Sequence, residues 1–104
     1  MKYSIILQNT LTKKPYVFNV EDIGSSLFYN FEIDVATLDE GEYKLFLITN
    51  DEWSEITINP TNIEESKMGN ETINIITTDV MRIGNFTATT TKYNSVKNFK
   101  TYNG

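Results

Sequence analysis

The sequence contains no cysteine and no histidine among its 104 residues. Without cysteine there is no disulfide, no thiolate nucleophile and no sulfur ligand for zinc or an iron–sulfur cluster. Without histidine the commonest general base and the commonest transition-metal ligand are both missing. Carboxylates, lysine, tyrosine or serine remain as catalytic groups, but the composition favours a protein that is not an enzyme. We therefore expect no cofactor and no metal.

Long apolar runs are also missing. The first eight residues contain one apolar run of three residues, Ile5-Ile6-Leu7, whereas the apolar region of a secretory signal needs roughly 7–15 residues. No stretch approaches the roughly 20 apolar residues of a membrane-spanning helix. We expect no signal peptide and no transmembrane segment, and a protein made in a cytoplasm.

Acidic residues are missing from the last quarter of the chain, since none follows Asp79. Residues 1–79 carry five basic and fourteen acidic side chains, a net charge of −9, and residues 80–104 carry four basic ones, a net charge of +4. The acidic body argues against nucleic acid as the main partner, because phosphate contacts need clustered lysine and arginine. An acidic body with a basic tail favours binding to other proteins, including copies of the chain itself.

Apolar and polar residues alternate over most of the chain, which is typical of β-strands. The clearest case is Leu27–Asp34, and in the strand around Tyr43 the apolar residues Phe46 and Ile48 also occupy the opposite face, so we expect that strand to be covered on both sides. The predicted strands are 2–8, 16–20, 27–34, 42–48, 53–58, 72–77 and 78–84, the last of which continues its predecessor after a bulge. Residues 61–70 are predicted to be a polar loop.

Short strands at this spacing predict an all-β, immunoglobulin-like antiparallel β-sandwich of about seven strands with an extended C-terminal arm. A small closed barrel is the alternative architecture. We place the sandwich domain at residues 1–86 and the C-terminal arm at residues 87–104.

The C-terminal arm has apolar residues every three positions, at Tyr93, Val96, Phe99 and Tyr102. Four anchors do not repay the backbone entropy of ordering the whole arm, so order requires pairing with a sheet edge and an acidic surface for its basic groups. We predict that the four anchors dock on a neighbouring subunit while Lys92, Lys97 and Lys100 meet its acidic face. Two alternatives stay open: Thr87–Thr91 as a final strand of the same domain, and a solvated tail.

Two other kinds of site are possible. The carboxylates of the turns (Asp34, Asp39, Glu40, Glu42, Asp51 and Glu52) are potential calcium ligands, but they lack the spacing of a dedicated loop and we expect them to be solvated. Trp53, beside a turn, is the one candidate for an exposed sugar-stacking residue, whereas Tyr29 and Tyr43 are in phase with apolar neighbours and are predicted to be core.

Three segments carry a resemblance to a known group of proteins: Tyr29–Asp34, Leu38–Leu45 and Met81–Gly84. They resemble small β-sandwich virion proteins of tailed phages that infect Bacteroidetes, including the crAss-like group. In those proteins a strand of aromatic and acidic residues leads into an acidic-Gly-Glu-Tyr turn. A later Arg-Ile-Gly step precedes a C-terminal arm rich in asparagine and tyrosine. The arm of the present chain resembles theirs at Tyr93-Asn94 and Tyr102-Asn103-Gly104.

The resemblance implies a structural subunit of the head, neck or tail of a phage virion, present in multiple copies. It adds Arg82 to the expected subunit interface and supplies no catalytic residue. We therefore expect a non-enzymatic assembly subunit that joins other virion proteins or copies of itself, as a homo-oligomer or part of a larger assembly. The alternative function is a glycan-binding or cell-surface-binding module that uses Trp53.

Overall fold

The computed structural model describes residues 2–21, 28–84 and 90–96. Within them the chain forms nine strands and one short 3₁₀ helix, Ile63–Glu65. The strands are β1 (Lys2–Asn9), β2 (Pro15–Glu21), β3 (Phe28–Asp34), β4 (Gly41–Thr49), β5 (Ile56–Thr57), β6 (Lys67–Met68), β7 (Glu71–Thr72), β8 (Ile75–Ile83) and β9 (Thr90–Val96). None of the described residues belongs to a helix that is long and apolar enough to cross a membrane.

The central layer is a four-stranded antiparallel sheet in the order β2-β1-β4-β8. Its register pairs Ile5 with Phe18 on one side and with Leu47 on the other. Because side chains alternate across a sheet, the odd-numbered residues of β1 and β4 share one face and the even-numbered ones share the other. Both strands carry buried apolar residues on both faces, which places this sheet between two other layers.

The first face of the central sheet packs against β3 and the turn that follows it. Tyr3, Ile5 and Leu7 are buried there with Phe31 and Ile33, and the rings of Tyr3 and Phe31 meet edge to face with centroids 5.5 Å apart. Strand β3 pairs in turn with β9 as a two-stranded antiparallel sheet. Two packed antiparallel layers confirm the predicted all-β sandwich.

The second face is covered over part of its area by a small third layer. Ile6, Phe46 and Ile48 form a separate apolar cluster there, together with buried residues of the segment that follows β4: Ile56, Ile63 and Ile73. Strands β5, β6 and β7 form the three-stranded sheet of this layer. The prediction that β4 is covered on both sides is confirmed.

Residues 61–70 are more structured than the predicted polar loop. Asn62 caps the 3₁₀ helix through its side chain, which accepts a hydrogen bond from the backbone of Glu64. Gly69 adopts φ +67° in the turn between β6 and β7, a left-handed conformation that favours glycine. The prediction failed because the buried residues Ile63 and Ser66 stand isolated among polar neighbours, and so no periodicity marks them.

Strand β9 lies within the predicted C-terminal arm. Its backbone pairs with β3 of the same chain from Thr90 opposite Asp34 to Val96 opposite Phe28. For these seven residues the structure therefore has a final strand within the same chain, the arrangement left open for Thr87–Thr91. Residues 97–104 lie outside the described part of the chain, and the boundary between residues 86 and 87 stays a prediction.

Candidate functional site

The predicted subunit-interface residues divide between two edge strands and the undescribed end of the chain. Arg82 lies on β8, at one edge of the central sheet, where its guanidinium is 3.9 Å from the Glu42 carboxylate. Lys92, Tyr93 and Val96 lie on β9, where the register sets Lys92 opposite Glu32. The other predicted interface residues, Lys97, Phe99, Lys100 and Tyr102, lie outside the described residues.

Arg82 is available to a partner. Its side chain is 74% exposed and that of Glu42 is 44% exposed. An ion pair in that environment contributes about 0–1 kcal/mol to stability because water and salt screen it. Arg82 can therefore change partners at little cost.

Strands β8 and β9 are both edge strands in the described part of the chain, because each pairs with one neighbour only. An edge strand presents backbone N–H and C=O groups that a further strand can pair with. Strand β8 also carries Val80, which is 56% exposed. The two edges are thus geometrically suited to strand addition.

Trp53, the candidate for sugar stacking, is held by contacts within the chain. Its indole N–H donates to the carbonyl oxygens of Tyr3 at 3.1 Å and Val20 at 3.2 Å. The Lys2 ammonium lies 4.6 Å from the centre of its ring. These contacts tie together β1, β2 and the turn after β4, and glycan stacking by Trp53 stays a prediction.

Of the three tyrosines on predicted strands 16–20, 27–34 and 42–48, the two whose side chains are described pack against other residues of the chain. Tyr43 is fully buried, as predicted, and its hydroxyl donates to the Asp39 carbonyl at 2.7 Å. Tyr16 meets Tyr43 edge to face with ring centroids 6.3 Å apart. Tyr29 lies on β3 opposite Ser95, and its side chain is outside the described part.

The turn carboxylates do not assemble into a metal site. All six are exposed, as expected for solvated groups: Asp34, Asp39, Glu40, Glu42, Asp51 and Glu52. Among the described residues, no group of three or more acidic side chains is placed to hold a metal ion. Asp34 instead accepts a hydrogen bond from the backbone of Ala36 at 3.0 Å, which supports the turn after β3.

An open groove of about 1300 Å³ lies on the second face of the central sheet. The register places Pro15, Gln8, Lys44 and Val80 side by side in one row of this face, where Lys44 and Val80 are exposed and Gln8 is buried. The groove runs along this row, across the strands. Its walls come from the β1–β2 hairpin and from residues 60–64.

Gln8 holds the two walls of the groove together. Its side-chain amide donates to the carbonyl of Lys13 at 2.9 Å in the hairpin and to that of Pro60 at 2.8 Å in the opposite wall. The hairpin is also braced by Asn9, whose side-chain oxygen accepts from the backbone of Leu11 and Thr12. The groove is therefore preformed by side-chain hydrogen bonds.

The groove differs in charge from the rest of the surface. Three lysines (Lys13, Lys14 and Lys44) and two carboxylates (Glu64 and Asp79) line it. The remaining described residues carry four basic and eleven acidic side chains. Sequence reasoning missed this site because its lysines lie in two distant segments, the β1–β2 hairpin and β4, and only the cross-strand register brings Gln8 beside Lys44. The Lys13-Lys14 pair was the one signal available beforehand.

No protein-family model, no curated protein and no solved structure matches this chain.

Proposed function

We propose that the protein is a non-enzymatic structural subunit of a phage virion, and that its C-terminal segment joins it to neighbouring subunits. The observation that carries the proposal is the position of β9 at an edge of the fold. This strand pairs with β3 on one side, and its other side is not paired with any described strand. It holds three of the predicted interface residues: Lys92, Tyr93 and Val96.

The pairing of β9 lowers the cost of assembly. Ordering a free segment costs roughly 1–2 kcal/mol per residue in backbone entropy. Seven residues of the C-terminal segment are already ordered against β3, so a neighbour need not supply that free energy. The chain continues beyond Val96 into Lys97, Phe99, Lys100 and Tyr102, which supply the remaining basic groups and aromatic anchors.

The sequence and the β-sandwich support the other parts of this proposal. The absence of cysteine and histidine removes the side chains that most enzymes use as nucleophile, base or metal ligand. The virion assignment is supported by the resemblance of Tyr29–Asp34, Leu38–Leu45 and Met81–Gly84 to the phage virion proteins, and by the β-sandwich that contains them.

The test is the mass of the native protein in solution, measured by light scattering, for the full chain and for a chain ending at Val96. Removing residues 97–104 leaves β9 in place, so the shortened chain should fold and be a monomer, whereas the full chain should form an oligomer. The full-length double variant Phe99→Ala/Tyr102→Ala should also be a monomer, because it loses two anchors but keeps the basic groups.

Circular dichroism of each variant shows whether the sandwich has folded. The proposal fails if the shortened chain and the full chain form the same complex. It also fails if the full chain is a monomer both alone and with the other structural proteins of a virion.

A further inference from the structure

The end of the sandwich at which β1 begins presents a part-exposed aromatic ring among acidic side chains. Trp53 is 37% exposed, and the Lys2 ammonium lies 4.6 Å from the centre of its ring. Lys2 is opposite Glu21, the last residue of β2. The turn after β4 adds carboxylates directly before and shortly after the tryptophan. Together these residues make up the acidic end of the molecule: Glu21, Asp51, Glu52, Trp53 and Glu55.

The four carboxylates of the acidic end are free to take a basic partner. All four are exposed, and none forms an ion pair or a hydrogen bond with a described residue. Four carboxylates and the Lys2 ammonium give these described side chains a net charge of −3. The indole N–H of Trp53 is turned inward to the carbonyls of Tyr3 and Val20, so the exposed part of the ring is apolar.

Strand β9 finishes at this same end of the sandwich. Its last residue, Val96, is opposite Phe28, the first residue of β3. Strand β3 follows β2, which ends at Glu21. The ring of Phe31, three residues into β3, packs on the ring of Tyr3 near the start of β1. The chain beyond β9 therefore begins at the acidic end.

The residues that follow β9 match the acidic end in chemistry. Residues 97–104 contain Lys97 and Lys100, no acidic side chain, and the aromatic residues Phe99 and Tyr102. Lysines complement carboxylates across an interface, and aromatic rings pack favourably on one another. Eight extended residues reach about 26 Å, at about 3.3 Å per residue. The occupant that fits this surface is the C-terminal segment of the protein itself.

The direction of β9 favours the acidic end of a second molecule over that of its own. Strand β9 is antiparallel to β3 and therefore runs out of the sandwich at this end. A segment that continues its line meets a molecule facing it, whereas it must reverse direction to return to its own surface. Since segment and acceptor share one end, two facing molecules can each give and receive a segment about a two-fold axis, which closes the assembly at two copies.

We propose that the acidic end is the acceptor for residues 97–104 of a second copy, so that two copies form a closed dimer by exchanging these segments. The inference rests on the proposed function, in which the C-terminal segment joins neighbouring subunits, and it names the surface that receives the segment. Lys97 and Lys100 meet the carboxylates, and an aromatic residue of the segment packs on Trp53.

The exchanged segments are large enough to hold a dimer together. Each aromatic side chain buries about 150–250 Å², and the two segments bring four of them. With the surfaces that these side chains cover, the buried area reaches the range of about 1,200–2,000 Å² found in specific interfaces.

The test reverses the charges of the two partners in separate full-length chains. Lys97→Glu/Lys100→Glu changes the segment, and Asp51→Lys/Glu52→Lys changes the acceptor. Each variant alone sets like charges against each other, so its dimer should dissociate at least about tenfold more readily than that of the unchanged chain, measured by light scattering. An equimolar mixture pairs opposite charges at both contacts and should be a dimer again, which an attachment within one molecule would not produce.

The matched control is Asp39→Lys/Glu40→Lys, which makes the same change of charge in the turn before β4, at the opposite end of the central sheet. Its dimer affinity should stay within about threefold of that of the unchanged chain, because exposed charges away from a contact have small effects. Circular dichroism shows that each variant is folded. Trp53, the only tryptophan in the sequence, gives a second measurement: its quenching by acrylamide should fall as the unchanged chain dimerises.

Four results would overturn the proposal: a mixture of the two folded variants that stays monomeric, an acceptor variant that dimerises as tightly as the control, an unchanged chain that associates only with other virion proteins, and protection of Trp53 in dilute monomers of the full chain but not in the chain ending at Val96. The last would place the segment on its own molecule. The first three leave the proposed function standing if removal of residues 97–104 still abolishes association, whereas identical complexes with and without these residues would remove both.

Discussion

Buried polar side chains join segments that lie far apart in the sequence. Asn50 is 2% exposed, and its amide nitrogen donates to the Ser4 hydroxyl and to the Ser54 carbonyl, both at 2.9 Å. Ser4, fully buried, donates in turn to Asn19 at 2.8 Å. These bonds link β1, β2 and the turn after β4, the same three segments that Trp53 joins.

Trp53 should contribute to stability mainly through its indole N–H. In the variant Trp53→Phe an aromatic ring remains, but the carbonyls of Tyr3 and Val20 lose their shared donor. We expect the free energy of unfolding to fall by about 1–3 kcal/mol, the cost of leaving partly buried polar groups unsatisfied. Urea unfolding followed by circular dichroism measures this change.

Tyr16→Phe is the matched control, because no described residue forms a hydrogen bond with the Tyr16 hydroxyl. Its effect on the free energy of unfolding should stay within about 0.5 kcal/mol, as for most surface changes. If both variants lower the free energy of unfolding equally little, the hydrogen bonds of Trp53 do not stabilise the fold. Its alternative role as a sugar-stacking residue then gains support.

The position of Trp53 beside a turn was visible in the sequence, but its hydrogen bonds were not. They depend on φ +50° at this residue, a conformation that is uncommon outside glycine and has no sequence pattern. Tyr43, in contrast, was predicted to be core from alternation alone and is fully buried. Periodicity in the sequence therefore predicts which side chains face inward, whereas an individual hydrogen bond can be identified only from the three-dimensional structure.

Strand β1 carries buried apolar residues on both faces because it lies in the middle of three layers. Ile5 belongs to the cluster shared with β3, and Ile6 belongs to the cluster shared with the third layer. Both side chains are fully buried. A two-layer sandwich would leave the face of Ile6 in water. The burial of Ile6 therefore depends on the third layer.

The variant Ile6→Ala should lower the free energy of unfolding by about 2–5 kcal/mol, the range for emptying a buried isoleucine site. Val17 is its cross-strand neighbour on the same face but is 42% exposed. Val17→Ala should therefore cost less than about 1 kcal/mol. Denaturant unfolding of both variants gives the comparison, and equal costs would contradict the coverage of Ile6 by the third layer.

Alternation predicted β1 to β4 to within one residue at each end, whereas β8 begins at Ile75 rather than at residue 72 and the third layer was predicted only in part. The predicted 2–8 and 42–48 correspond to β1 and β4, where apolar side chains recur at every second position. The predicted 53–58 shortens to β5, Ile56–Thr57. The layer is built from Ile56, Ile63 and Ile73, which are spaced irregularly among polar residues and therefore give no period to detect.

At the scale of the whole molecule, the residues that the structure describes form two apolar cores of unequal size on opposite faces of one sheet. Among the described residues, twelve are buried in the core shared with β3 and six in the core under the third layer. Strands β5, β6 and β7 of the third layer are two residues long each, so few ladder hydrogen bonds hold them. This layer should be the less stable part of the fold.

Native-state hydrogen exchange should therefore separate the two parts. The amide of Ile73, which donates to the Ser66 carbonyl at 3.0 Å, should exchange through local opening of the third layer, at least about 2 kcal/mol below the global free energy of unfolding. The amides of β4, paired on both sides with β1 and β8, should exchange only through global unfolding. Low concentrations of denaturant should hardly affect the exchange of Ile73 and should accelerate that of β4, because local opening exposes less surface. A common free energy and a common denaturant dependence for both would show that the three layers unfold as one cooperative unit, and that the small core is as firmly held as the large one.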